Sequence, residues 1–366
     1  MMRVALIRKA PLGTLAGHDK ALMRLARLFA EICSAKEEIF SLGRGFSTRR
    51  VQGMTEHVLG SSGIAGRRRM LEELAEFDPK VVIVFDRELA AVAAAYNRLH
   101  GDKCSIVVLT DSPDVIYNFA LRVDSVGAPA PVKAILKKIY LWRQMHIYKK
   151  MIGVSTHIIL PTEEDRKRLV EEIPSAKEKS YVMQLLPVGK MRKPRTIRRI
   201  RKILFVGACD YPPNAEAARI IEEEIAPAVP NKTFYVVGRG CTARSHGNFS
   251  CLGEITDEEL QKRLGEADLC IAPLMHGTGF KSKVLDYLIA GKPVIGTSVA
   301  FQGFAARNGF NAIIEDDPTK YAKRIRELDE NPELVARLQK NIPSILREFS
   351  EKRIREKFKT LCESLR

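Results

Sequence analysis

Apolar residues along this chain alternate between two rhythms. Short, uniformly apolar runs stand at "RVALI" (3–7), "KVVIVF" (80–85), "SIVVL" (105–109) and "HIIL" (157–160). Between them apolar positions recur at helical spacing, as Leu22, Leu25, Ala26, Phe29, Ile32 and Cys33 do in a helix starting near Asp19. A second helix is predicted near 88–99. Runs this evenly apolar predict strands of a parallel sheet whose two faces are both covered by helices.

The rhythm then restarts. "KILFVG" (202–207) leads into a helix with Asn214 as its expected N-cap, followed by "TFYVVG" (233–238). Thr256-Asp257-Glu258-Glu259 has capping-box spacing and opens another helix. "DLCIAP" (268–273), "KPVIGT" (292–297) and "NAII" (311–314) complete the set. "KMRKPRTIRRIRK" (190–202), charged and almost free of apolar residues, separates the halves. The pattern predicts an α/β protein of two Rossmann-like, doubly wound parallel-sheet domains with a cleft between them. The expected divisions are an N-terminal domain over 1–186, a basic linker over 187–201, a C-terminal domain over 202–345 and a terminal helix over 346–366.

At 366 residues, 45% hydrophobic and 28% charged, the chain has the composition of a globular two-domain protein. No apolar run is long enough to span a bilayer, and "VALI" after Arg3 is too short for a signal peptide. The expectation is a cytoplasmic protein, with a peripheral place on the inner face of the cell membrane open to it. The seven cysteines are scattered without a C-x-x-C and are expected to be reduced. Cys241, His246 and Cys251 lack a fourth ligand for a metal site, and no metal is expected. The net charge of +16 suits a nucleic acid, an anionic membrane or a phosphate-rich ligand without choosing among them.

One stretch narrows the choice. "HGTGFKSKVLDYL" (276–288) sets Gly277, Thr278, Gly279, Phe280, Lys281 and Lys283 ahead of and into a helix predicted over 281–290. Val284, Leu285, Leu288 and Ile289 form its apolar stripe, leaving Lys283, Asp286 and Tyr287 on the other face. The glycines let backbone amides approach an anion at the helix start, and the lysines add full charges there. Asp286 lies about one turn, roughly 5 Å, further along. A carboxylate repels phosphate but accepts hydrogen bonds from a diol. Phosphate at the helix start with ribose on Asp286 describes a nucleotide at the carboxyl edge of a parallel sheet.

The surrounding segments carry a resemblance. "ILFVGACDYPPNAEAARIIEEEIAP", "FYVVGRG" and "CLGEITDEELQKRLGEADLCIAPLMHGTGFKSKVLDYLIAGKPVIGTS" resemble the donor domain of GT-B glycosyltransferases of the retaining family 4, or group 1, type. The loop Asp210–Asn214 looks like the "D-Y-x-P-N" loop of its sugar-transferase branch. In the first half, "GHDKALMRLARLFA" (17–30), "TDSPD" (110–114) and "YKKMIGVSTHIILPTEEDRKRL" (148–169) are more loosely similar. The resemblance implies transfer of a sugar from a nucleotide-diphosphate donor, UDP- or GDP-linked, to a glycan or lipid-linked acceptor, with retention and without a metal or other cofactor. It places the base near Gly253, Glu254 and Ile255, the diphosphate near Gly279–Lys283, and the ribose on Asp286, with Gly207, Gly277 and Thr278 also expected among the donor-binding residues. Gly13 and Gly17 would approach the phosphates or sugar, and the terminal helix would return to the N-terminal domain.

This sequence departs from the family at three points. The first acid of the E-x7-E pair is Thr278 and the second is the shorter Asp286. Cys209–Asn214 replaces the Arg and Lys that many members carry after the first C-domain strand, leaving Lys281 and Lys283 to neutralise the leaving diphosphate. Asp111 stands where many members have His. The candidate catalytic residues are therefore Asp19, Asp111, Lys281 and Lys283. Asp19 reads also as a helix N-cap, Asp111 as a turn residue before Pro113, and His18 more readily as incidental than catalytic.

"PVKAILKKIYLWRQMHIYKKM" (131–151) carries Lys133, Lys137, Lys138, Arg143, Lys149 and Lys150 with no acid, interleaved with apolar residues. It fits either peripheral association with an anionic membrane or a core helix with a solvated basic face. Four other functions compete. Nucleic-acid binding has charge and "GRRRM" (66–70) but no recognition motif, so no nucleic-acid partner is expected. A sugar-nucleotide epimerase or a non-catalytic nucleotide-sugar binder would share the scaffold. A dinucleotide oxidoreductase lacks its G-x-G-x-x-G after any strand.

Overall fold

The computed structural model describes residues 2–9, 24, 27–28, 31–32, 35–43, 46–51, 54–60, 63–121, 123, 127–184, 191–277 and 279–365. It separates into two compact units. One comprises residues up to 113, 138–186 and 349–366; the other comprises 114–137 and 187–348. Residues 114–137, which fall inside the N-terminal span expected from sequence, thus group with the second unit.

The first unit is built on eight strands: β1 (Arg3–Arg8), β2 (Lys36–Ser41), β3 (Phe46–Val51), β4 (Met54–Leu59), β5 (Val81–Val84), β6 (Ser105–Leu109), β7 (His157–Leu160) and β8 (Ser180–Val182). Their order is β3-β4-β2-β1-β5-β6-β7-β8, parallel except for the antiparallel β3–β4 pair. Val4 to Ile7 and Val81 to Val84 are buried to within 1% of full burial, as expected of strands covered on both faces. Helices α1 (Ile64–Phe77) and α2 (Ala90–Leu99) follow β4 and β5. Helix α3 (Ala130–Val154), which counts with this unit from Lys138 onward, buries only Tyr148, Met151 and Ile152, so the core-helix reading holds for its last turns alone. Helix α4 (Glu163–Glu172) starts at Thr162, whose hydroxyl accepts from the Asp165 amide at 3.0 Å. A closing helix, Glu351–Ser364, also counts with this unit and buries Ile354, Phe358 and Leu361 almost completely. Lys357 on it donates to Gln184 at 2.6 Å.

Seven strands form the second sheet: β9 (Lys202–Val206), β10 (Thr233–Val237), β11 (Arg244–His246), β12 (Phe249–Cys251), β13 (Leu269–Ala272), β14 (Val294–Gly296) and β15 (Ile313–Ile314). The order is β11-β12-β10-β9-β13-β14-β15, parallel apart from the β11–β12 edge. Helices α5 (Pro212–Ile220), α6 (Asp257–Glu266), α7 (Ser282–Ile289), α8 (Tyr321–Glu330) and α9 (Pro332–Leu346) connect and cover it. Two doubly wound α/β units with parallel-dominated sheets are the fold class expected from sequence.

The expected linker is a strap rather than a free tether, over its described residues 191–201. The Arg192 amide donates to the Ile289 carbonyl at 2.8 Å, and Ile200 is fully buried. Asp268 accepts from the Arg201 and Lys202 amides at 2.9 Å each and pairs with Arg195. The segment looked like a tether because its many cations hid two buried isoleucines, Ile197 and Ile200. No described helix is long and apolar enough to cross a membrane.

Candidate functional site

The carboxyl edge of the second sheet gathers most of the residues picked from sequence. β9 ends at Val206, and Gly207 follows where a side chain would meet Phe205, Asn214 and the Lys283 ammonium at about 3.0 Å. Beside it, β10 ends at Val237. A Cβ on Gly238 would lie 2.0 Å from the Gly207 carbonyl oxygen, so only glycine permits this approach of the two strand ends. The Gly238 amide donates to the Gly253 carbonyl at 2.9 Å, which links the segment carrying Glu254 and Ile255 to the same edge. Glu254 is exposed and Ile255 half-buried.

After β13 the chain turns through Met275, His276, Gly277 and Gly279 into α7. Gly277 has φ of 119° and Gly279 of 77°, conformations that glycine adopts without the Cβ clash. The Lys281 ammonium points back into this turn, donating to the Gly279 carbonyl at 2.6 Å and the Gly277 carbonyl at 3.3 Å. Lys281 therefore shapes the turn as well as charging it. Phe280 is buried, stacked on Phe304 with ring centroids 4.8 Å apart, so only its backbone faces the turn's chemistry.

Lys283 sits deeper. Its ammonium donates to the Asn214 side-chain oxygen and lies 4.7 Å above the centre of the Phe205 ring. Burial, helped by the Lys281 charge, pushes its pKa down to about 7. Asn214 in turn donates to the Ala208 carbonyl at 3.0 Å. It is not the helix cap expected from sequence: α5 starts two residues earlier, with Pro212 and Pro213 in its first turn and Tyr211 at the cap. Proline is suited to the first helical position because its missing N–H would be unused there. That signal, read alone, would have placed the helix start correctly.

Asp286 lies one turn along α7, and no described residue gives its carboxylate a hydrogen bond or ion pair. Burial alone raises its pKa, to about 7. Tyr287, expected on the outward face with Lys283 and Asp286, is fully buried instead. Its hydroxyl accepts from the Val206 amide at 2.7 Å and locks α7 to the end of β9. A tyrosine at the margin of an apolar stripe can turn inward when a backbone donor awaits it.

Sequence reasoning missed three cross-links around this edge. Cys209 and Cys241 form a disulfide, with Cα atoms 5.0 Å apart, that joins the loops after β9 and β10. The expectation of reduced cysteines fails at this pair, and Cys241 so bonded offers no thiolate to a metal; Cys104, Cys251 and Cys270 are free and buried. Arg239 pairs with Asp210 at 2.9 Å across the same two loops. His276 Nδ1 lies 2.9 Å from the Glu216 carboxylate on α5. Each joins residues at least 29 positions apart, a distance at which no local signal exists. Among the described residues no group of three or more His, Cys, Asp and Glu could hold a metal.

Asp111 belongs to the first unit, where its backbone carbonyl accepts from the Tyr148 hydroxyl at 2.9 Å. Gly13, Gly17, His18, Asp19 and Thr278 lie outside the described residues.

Residues 200–331 match the family described as Glycosyl transferases group 1. No curated protein matches the chain. Solved structures with the same fold include sucrose-phosphate synthase from Thermosynechococcus elongatus, at TM-score 0.73 and 13% identity over 100% of this chain and 99% of that one. Anabaena HepE in complex with UDP-glucose superposes with TM-score 0.71 at 12% identity over 100% of both chains. TarM does so with TM-score 0.72 at 10% identity over 99% of both.

Proposed function

We propose, from the premise that this chain carries a glycosyltransferase domain of the group 1 family, that it moves a sugar from a nucleotide-diphosphate donor to a glycan or lipid-linked acceptor. We assign it to the retaining, metal-independent family 4 type. The observation that carries the reading is the pairing on α7 of two opposite needs. Lys283 is a desolvated cation beside Gly207, and Asp286 is a desolvated carboxylate with no partner among the described residues. A diphosphate against the Gly277–Lys283 turn and a ribose diol on Asp286 would satisfy both at once.

The reaction breaks the bond between the anomeric carbon and the diphosphate oxygen and forms one from that carbon to an acceptor oxygen on the same face. The acceptor proton passes to the departing phosphate. Negative charge grows on the leaving diphosphate, so preorganised cations and amides contribute most where they face that oxygen. Lys283, only partly protonated at neutral pH in the empty site, becomes fully charged as the diphosphate arrives. Lys281 holds the turn whose amides share the load. Asp111 and Asp19 remain candidates for orienting the acceptor or sugar hydroxyls. HepE's complex makes UDP-glucose the first donor to test, with GDP-, ADP- and CMP-sugars as the panel.

Peripheral membrane attachment at the cytoplasmic face is the partner reading we attach to α3. Val132, Ile135, Leu136, Ile139 and Trp142 recur along one side of it and are all exposed, Trp142 at 72%. Lys133, Lys137 and Lys138 flank them, a pattern suited to an anionic bilayer. Trp142→Glu should abolish co-sedimentation with anionic vesicles, and binding of the wild type to neither anionic nor neutral vesicles would end this reading.

Asp286→Ala tests the donor site. Loss of the ribose contact should weaken UDP affinity by about tenfold, or 1.4 kcal/mol, in calorimetry. Unchanged affinity removes Asp286 from the ribose. Transfer of labelled sugar from the preferred donor to an acceptor distinguishes a transferase from a silent binder.

A further inference from the structure

We propose that the first unit carries a second, separate ligand site: an arginine-lined cavity that takes a phosphomonoester. The cavity encloses about 460 Å³ on the helical layer of that unit. Arg67 from α1, Arg87 from the turn before α2, Arg98 from α2, and Arg143 and Lys150 from α3 line it. Its one carboxylate, Glu88, is held by Lys9 at 2.6 Å and also feels the charges of Arg67 and Arg87, leaving the cavity with a net excess of positive charge.

None of the five cations makes a side-chain hydrogen bond or ion pair with a described residue. The absence is local. On the same helix as Arg67, Arg68 pairs with Glu72 at 3.4 Å and Arg69 with Glu73 at 2.6 Å. Five like charges around one cavity repel one another and raise its potential until an anion enters. Guanidinium forks match the geometry of phosphate oxygens and bind them two at a time.

Size and charge narrow the ligand. The volume lies in the range of small-molecule sites, and a bare phosphate would leave most of it empty. Ala94 and Met151 offer an apolar wall to an organic portion. A monoester carries nearly two charges at neutral pH, against one for a diester, and so gains more from five cations. Its source is either a soluble phosphate ester or the headgroup of a phosphatidic-acid-type lipid. Every residue named here lies in the first unit, so this site stands or falls apart from the donor site in the second.

The test uses the full chain and an Arg67→Glu/Arg98→Glu double variant, which leaves α3 untouched, with Arg67→Gln/Arg98→Gln as a milder second variant. Lys103→Glu/Lys359→Glu, two exposed lysines outside the cavity, makes the same change of net charge. One arm titrates glycerol 3-phosphate by calorimetry. The other measures co-sedimentation with phosphatidylcholine vesicles containing phosphatidic acid, against the same vesicles containing phosphatidylglycerol. The wild type should bind in at least one arm, and any vesicle binding through the cavity should favour phosphatidic acid over phosphatidylglycerol. The cavity variants should lose about tenfold or more in affinity while the control keeps it. Binding of glycerol 3-phosphate assigns a soluble ligand, and binding of phosphatidic acid alone assigns a lipid. No binding in either arm, no preference for the monoester, or equal losses in the cavity and control variants would overturn the proposal.

Discussion

Two side chains on α7 titrate in opposite directions toward the same pH. Burial lifts Asp286 from its ordinary 3.8 to about 7, so between those values the folded protein holds a proton that the unfolded chain has released. Stability therefore falls as pH rises through that window. Burial lowers Lys283 from 10.5 to about 7, so above 7 the unfolded chain holds the extra proton and stability rises with pH until about 10.5. The two together predict a minimum in the stability of the unliganded protein near pH 7. Asp286→Asn should flatten the acid limb and Lys283→Met the alkaline limb, read from urea midpoints across the pH range. A minimum unchanged in both variants would assign it to other groups. UDP bound at pH 8 should also draw a proton onto Lys283, visible as a dependence of binding heat on the ionisation heat of the buffer. At this scale the sequence was most informative about Lys281, Lys283 and Asp286, because glycine, lysine and acid fall within one local stretch. It was silent on Asn214 as the acceptor for Lys283, since that contact joins residues 69 positions apart.

The elements that bring these residues together are held by contacts with little tolerance. Gly238 is the sharpest case, because a methyl group there would overlap the Gly207 carbonyl and force the ends of β9 and β10 apart. Gly238→Ala should destabilise the second unit by about 3 kcal/mol or more. Gly309 makes the control: its φ is +70° but a Cβ there meets nothing within 4 Å. Gly309→Ala should cost only the left-handed strain of about 1–2 kcal/mol. Equal drops in melting temperature for the two would mean that the strand ends separate easily. The buried parallel strands β1, β5, β6, β9, β10 and β13 were legible as uniformly apolar runs. β2, β3 and β4 were not. Lys36, Glu37 and Glu38 open β2, and β3 is mostly polar. β4 buries Glu56 between Met54 and Val58, its charge met by Arg49 at 2.8 Å. A buried carboxylate met by an exposed arginine disguises the alternation that would otherwise mark a half-buried strand.

For the molecule as a whole, the restart of the apolar rhythm at 202 made two sheets legible, while the grouping of the chain into units required the structure. Residues 114–137 count with the second unit, and no boundary in composition announces it. The closing segment from Phe349 counts with the first unit, although the chain reaches it directly from α9 of the second. Its charged surface conceals Phe349, Ile354, Phe358 and Leu361, each at most 2% exposed. Burying such side chains contributes about 1.5–3 kcal/mol apiece, a sum comparable to the whole stability of a typical domain. Truncation after Glu348 should therefore unfold the first unit and leave the second folded, with UDP affinity near the wild-type value if the donor contacts all lie on α7 and its neighbours. Calorimetry of the full chain should then show two transitions, of which the truncated chain keeps one. Loss of UDP binding together with the first transition would mean that the donor site draws on residues outside the second unit, and Asp19 and Asp111 would be the first to examine.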